Sequence, residues 1–178
     1  MRSSTQINVA QLLRQPVGTT RSYLIDDSAE VAEQEIKSYH AWGVVELLRT
    51  DRSILARGTL EGMASLVCSR CLTLFDQPLT LNIAEEFFPR AEMSGDFPLP
   101  SPQELSGFTI DERHILDLSE AVRQSVLLAV GMKPLCHPDC AGLCPYCGTN
   151  LNLSRCSCTS VPQHHPGASL NLKEKTGF

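Results

Sequence analysis

Eight cysteines constrain this 178-residue chain more than any other feature. Two stand as Cys68-x2-Cys71. The other six follow as Cys136-x3-Cys140-x3-Cys144-x2-Cys147-x8-Cys156-x-Cys158. A CxxC turn lets both sulfurs face one ion while backbone N–H groups point at them, and zinc favours tetrahedral thiolate sites. Gly148, directly after Cys147, suits the positive-φ turn of a zinc knuckle. The opening residues hold no apolar run of the kind that directs export, so the expected setting is the cytoplasm, where thiols stay reduced. Metal ligation is then the expected role of the cysteines.

Eight ligands make two sites, expected to hold two structural zinc ions. Cys144, Cys147, Cys156 and Cys158 form a compact local set, which leaves Cys68 and Cys71 to join Cys136 and Cys140 across the long gap. The spacing also admits other pairings, such as Cys136, Cys140, Cys144 and Cys147 together. His137 is a possible substitute ligand, although a solvent-facing loop histidine is the expected role, and His164 and His165 sit unliganded in the tail. A catalytic metal needs an open position and a nearby acid or base. His40, His114 and His137 are followed by Ala-Trp, Ile-Leu and Pro-Asp, so the HxE of the nucleobase deaminases is missing. Cys68-Ser-Arg-Cys71 lies between strand signals, not at a helix N-terminus where a low thiol pKa is usually arranged. No P-loop, GxGxxG or GxSxG occurs, so neither an enzyme nor a small-molecule substrate is expected.

The rest of the chain reads mostly as strand. Arg21 to Ile25 suggests a strand and Ala10 to Gln15 a short helix, while 26–37 is acidic and ambiguous. Trp42 to Thr50 and Ile54 to Gly58 flank a hairpin turn at Asp51-Arg52-Ser53. Leu60 to Val67 leads into Cys68, and Leu79, Leu81 and Ile83 alternate after an expected turn at Asp76-Gln77-Pro78. Residues 89–109, rich in proline and acid, read as a loop or linker. Asp117, with Glu120 three residues on, predicts a capping box. Behind it Leu118, Ala121, Val122, Ser125, Leu128 and Ala129 make one helical face that packs on the sheet, and Gly131 with Pro134 stops the helix. The expected class is α+β: a mainly antiparallel β meander or partial barrel with one long packed helix over residues 1–135. A cysteine-rich zinc-binding segment (136–158) and a mobile tail (159–178) follow.

No stretch approaches the roughly 18 to 20 apolar residues of a membrane span. Formal net charge is -5. Two four-thiolate zinc sites would each carry a net of about -2, which argues against binding duplex nucleic acid by bulk electrostatics.

The segment LVCSRCLTLFDQPL, followed by a strand ending in EEFFP, resembles the CxRCL segment of the YceD family of large ribosomal RNA subunit accumulation proteins. The stretch from Leu116 to Cys158 resembles that family's C-terminal pattern of helix, PLC, GLCPxCGxNLN and CxC, and QLLRQPVGTTRSY is similar to its opening. One departure is Gly131, where many relatives carry proline. The resemblance implies a non-enzymatic role in large-subunit ribosomal RNA accumulation or processing during ribosome assembly. The implied partners are ribosomal RNA, a large-subunit ribosomal protein, or both. Some relatives lack GLCPxCG yet retain CxRC and a later ligand pair, which favours joining Cys68 and Cys71 to Cys136 and Cys140. Two rival readings are a zinc-ribbon transcription regulator, for which the helix offers Arg123 alone beside Glu120 and Gln124, and a thiol/zinc redox sensor. Any RNA contact is expected at Arg70, Lys133 and Arg155, each within three residues of a cysteine.

Overall fold

The computed structural model describes residues 5–31, 36–90 and 107–158. Its first elements are β1 (Gln6–Asn8), α1 (Ala10–Leu13) and β2 (Thr20–Glu30). Three long strands follow: β3 (Ile36–Arg49), β4 (Ile54–Val67) and β5 (Leu74–Pro89). β6 (Phe108–Ile110), β7 (Ile115–Asp117) and α2 (Ser119–Ala129) complete the set. The seven strands form one sheet in the order β1-β7-β6-β5-β4-β3-β2. Every pairing is antiparallel except β5 with β6. This mostly-strand sheet curls into a half barrel.

Alternation drives the long strands. Along β4, Ile54, Ala56, Leu60, Ala64 and Leu66 are buried while Arg57, Thr59, Glu61 and Met63 face water. One face of the meander therefore belongs to the core and the other to solvent. Two glycines let β3 and β4 approach closely. A Cβ on Gly58 would collide with the Val44 carbonyl oxygen, and Gly43 (φ +152°) holds a conformation that side chains rarely adopt. The hairpin turn after β3 forms at 50–53, as expected, and Arg49 fixes it. Its buried guanidinium donates to the carbonyls of Thr50 and Ser53, and to Leu13 at 3.3 Å.

Several expectations need correcting. Asp76-Gln77-Pro78 is no turn: all three lie within β5, paired with Ser65, Ala64 and Met63. Among the described residues β6 pairs only with Phe87–Pro89 of β5, so Pro78 lies where the sheet has an open edge, a place proline can occupy. The chain reverses earlier, through the Cys68–Thr73 turn itself. Of the expected loop 89–109, Pro89 belongs to β5 and Phe108 and Thr109 to β6. Residues 91–106 lie outside the described residues, as does the tail from 159.

The helix is shorter than one long element, at 11 residues, and its cap differs. Leu118 holds the N-cap position with no side-chain bond, while Asp117 accepts from the Ser119 N–H at 2.9 Å. Glu120 turns outward to Arg123 and Gln124 instead of back to the cap. The buried face carries Ala121, Val122 and Val126, not Leu128, which is 86% exposed. α2 packs against β5. It ends before Gly131, because Val130 is already extended (ψ 114°).

Candidate metal centre

The β4–β5 reversal and the chain beyond α2 converge on four sulfurs. Cys68 follows the last residue of β4, and the Ser69 N–H donates to the Pro134 carbonyl at 2.9 Å, which brings the segment after the helix alongside. The sulfur of Cys68 lies 3.8 Å from that of Cys140, and Cys71 lies 3.6 Å from Cys136. A disulfide needs about 2.05 Å. A tetrahedron with zinc–sulfur bonds of about 2.3 Å instead places its sulfurs about 3.8 Å apart. The donor set fits a tetrahedral thiolate-bound ion. Cys68, Cys71 and Cys140 are buried and form a small second core with Leu135 and Leu143 packed against it.

A second group gathers beyond it. In each of the two sets, Cys68, Cys71, Cys136, Cys140 and Cys144, Cys147, Cys156, Cys158, the ligand atoms all lie within 4.8 Å of one another. Both groups can hold a metal ion. The set of Cys136, Cys140, Cys144 and Cys147 is not brought together among the described residues. His137 is exposed and turns its Nδ1 to the Cys136 sulfur at 3.1 Å. His164 and His165 lie outside the described residues.

The two CxxC turns share one construction. Leu72 N–H donates to the Cys68 carbonyl and Cys68 N–H to the Thr73 carbonyl, each at 3.0 Å. Gly148 donates to Cys144 at 2.9 Å, and Cys144 to Thr149 at 2.8 Å. The residue after the second cysteine has positive φ in both, 58° at Leu72 and 71° at Gly148. The next residue is a threonine whose hydroxyl meets that cysteine's sulfur, at 3.4 Å for Thr73 and 3.1 Å for Thr149. Sequence reasoning missed these threonines. The signal was a repeat, Cys-x-x-Cys-x-Thr, standing at both 68–73 and 144–149.

Asparagines tie the two groups together. Asn150 donates to the Thr73 hydroxyl at 3.2 Å, and Asn152 donates to the Cys140 sulfur at 3.3 Å while accepting from the Ala141 N–H at 2.8 Å. Arg70 donates to the Cys140 carbonyl at 3.0 Å, so this expected contact residue is engaged in bracing the site. Lys133 and Arg155 are exposed.

The thiols within each group differ in how readily they ionise. Burial opposes a Cys68 thiolate, but the N–H groups of Cys71, Cys136 and Arg70 outweigh it and bring Cys68 down to about 6. The hydroxyl and N–H of Thr149 bring Cys147 down to about 6. Their neighbours go the other way. Burial, then the surrounding thiols, pushes Cys136 up to about 12, and hydrogen bonding to Cys147, then burial, pushes Cys158 up to about 12. Within each group some thiols ionise readily and others resist, since like charges accumulate. A bound divalent cation would offset the accumulated charge.

Comparisons with known proteins bear on what such a molecule does. The family model described as "Large ribosomal RNA subunit accumulation protein YceD" matches residues 56–173, a span that includes all eight cysteines. The chain belongs to this family. It is 39% identical over 54 residues to the maize "Large ribosomal RNA subunit accumulation protein YCED homolog 1, chloroplastic", covering 30% of this chain and 18% of that protein. It is 29% identical over 99 residues to an uncharacterized protein of Mycobacterium tuberculosis, covering 55% of this chain and 45% of the relative. An uncharacterized protein of Mycobacterium leprae is also 29% identical, over 105 residues and 43% of its length. The matched region thus spans less than half of each of these relatives. No solved structure matches the chain. Among the described residues no helix is long and apolar enough to cross a membrane.

Proposed function

We propose that this chain is a non-enzymatic factor for the accumulation or processing of large-subunit ribosomal RNA during ribosome assembly. The observation that carries the reading is the family match over residues 56–173. In the same reading the eight cysteines, Cys68, Cys71, Cys136 and Cys140 with Cys144, Cys147, Cys156 and Cys158, hold two structural zinc ions. Each group offers four thiol donors, enough to close a tetrahedral shell and leave no position for substrate. Zinc would supply fixed geometry here, and no reaction is assigned to it. The partners are ribosomal RNA, a large-subunit ribosomal protein, or both, met in the cytoplasm, with no small-molecule substrate.

The test is sedimentation of the tagged full chain with ribosomal particles, combined with measurement of large-subunit ribosomal RNA after depletion. The expected result is association with immature large-subunit particles and a fall in that RNA relative to the small-subunit RNA. Unchanged RNA with the protein confined to the top of the gradient would overturn the reading.

A further inference from the structure

The solvent face of the meander is not an ordinary polar sheet surface. Leu24 pairs across the strands with Val44, and Trp42 lies one position along on the same face. Leu24 is 80% exposed, Val44 49%, and Trp42 and Met63 40% each. Large apolar groups left in water side by side on a rigid sheet mark an interaction site more often than a packing need, because nothing in the fold gains from them. Trp42 is also flanked by carboxylates. Asp26 stands directly opposite it on β2 and Glu61 directly opposite it on β4, within reach of cross-strand contact. The His40 ring lies 4.8 Å from the indole, tilted 40°, and its Nε2 meets Asp26 at 2.9 Å. Arg57 on this face is already paired with Glu46.

We propose that this outer face is a docking surface for a cationic polypeptide segment, with an arginine or lysine of the partner set over the Trp42 ring between Asp26 and Glu61. A cation over an indole face gains from the ring quadrupole, and two carboxylates at its sides supply the charge. Leu24, Val44 and Met63 take the apolar stem of that side chain or an adjacent anchor. The same carboxylates repel a phosphate backbone and a second copy of this face. The occupant is therefore a basic protein. The proposal rests on the ribosome-assembly reading only for which basic protein arrives.

Trp42 is the single tryptophan of the chain, so its fluorescence reports on this face alone. The zinc-loaded full chain is titrated with nona-arginine, and in parallel with a single-stranded RNA of similar length. The expected result is a saturable change in emission with the peptide and none with the RNA. Joint Asp26→Asn and Glu61→Gln substitution weakens the peptide about tenfold, whereas the charge-matched pair Asp51→Asn and Glu112→Gln changes it little. Should loss of the His40–Asp26 contact disturb the fold, Glu61→Gln alone carries the test, with metal content and melting as controls. Equal weakening in both pairs means diffuse charge attraction and overturns the proposal. So does an emission change with RNA but not peptide, or self-association of the free chain that shields Trp42. Peptide binding without any association with ribosomal particles keeps the surface and removes the ribosomal reading.

Discussion

Leu72 and Gly148 occupy the same place in two turns of the same construction, yet only one is glycine. Both have positive φ, and a Cβ on Gly148 would meet nothing within 4 Å, so the difference between them is purely backbone. A branched residue in the left-handed region costs about 1–2 kcal/mol. Gly148→Leu should therefore destabilise the second cysteine group by about that amount, read as weaker zinc retention against a competing chelator. Leu72→Gly should be neutral or slightly stabilising, since Leu72 is exposed and glycine's extra unfolded-state entropy offsets most of the relief. A large loss on Leu72→Gly would mean that the leucine side chain makes a contact of its own. The cysteines and Gly148 were legible in the sequence because their types are unusual and their spacing is short. Thr73 and Thr149 showed only as a repeat that follows both CxxC pairs, and Asn150 and Asn152 not at all, because amides are common and acquire meaning only from the groups they reach.

Much of the three long strands β3, β4 and β5 could be read from strand signals, with alternation clearest along Leu60–Val67 and at Leu79, Leu81 and Ile83, but most of β2 and the first half of β5 could not. β1, β6 and β7 hold three residues each, too few to carry a period, and they exist because the sheet edge accepts them. The helix was legible and so was the start of its buried face, at Leu118, Ala121 and Val122; further along, Val126 is buried where Leu128 fitted the pattern. Gly58 tests how closely β3 and β4 must approach. Gly58→Ala places a methyl against the Val44 carbonyl across the hairpin, a backbone atom that cannot swing away. The expected cost is about 2–3 kcal/mol, from strain at a closely packed position, measured by denaturant unfolding. A variant as stable as the parent would show that the strands part there freely. At the start of α2 the charges set a pH dependence. Hydrogen bonds from Arg123 and then Gln124 lower Glu120 from 4.5 to about 2. Asp117 is opposed by burial, but bonding to Ser119 lowers it too. A carboxylate depressed in the folded state stabilises above its unfolded value, and that contribution is lost as pH falls through the folded one. The parent should exceed Glu120→Gln by about 0.5 kcal/mol or less at neutral pH, given solvent screening of an exposed pair. The gap should close between pH 4.5 and about 2. A gap that widens on acidification would reverse the sign of this account.

Across the whole molecule the two cysteine groups do different work. The first joins Cys68 and Cys71 at the end of the meander to Cys136 and Cys140 beyond α2, closing a loop of more than sixty residues (Cys71 and Cys136 are 65 apart). The second closes only within 144–158, at the periphery, where Cys147 is exposed and Cys156 and Cys158 are half-buried. Closing a long loop removes more entropy from the unfolded chain than closing a short one. A metal there therefore couples to the folding of the body. With two zinc ions bound, Cys68→Ser and Cys147→Ser should each lose one ion by metal analysis. Cys68→Ser should also lower the main melting transition by about 5 °C or more, as a loss of a few kcal/mol does in a chain of this size. Cys147→Ser should leave that transition nearly in place, because the sheet, α2 and the first group do not pass through it. Access orders the release of metal in the same way. A chromogenic chelator should withdraw one ion quickly from the second group, where Cys147 is exposed, and the other slowly, as the buried sulfurs of the first group are freed only when the β4–β5 reversal opens. Release in one phase, with both variants melting alike, would mean that the groups form a single cooperative unit joined through Thr73 and Asn150. The double substitution Thr73→Val and Asn150→Ala, which cuts that link, should then restore two phases.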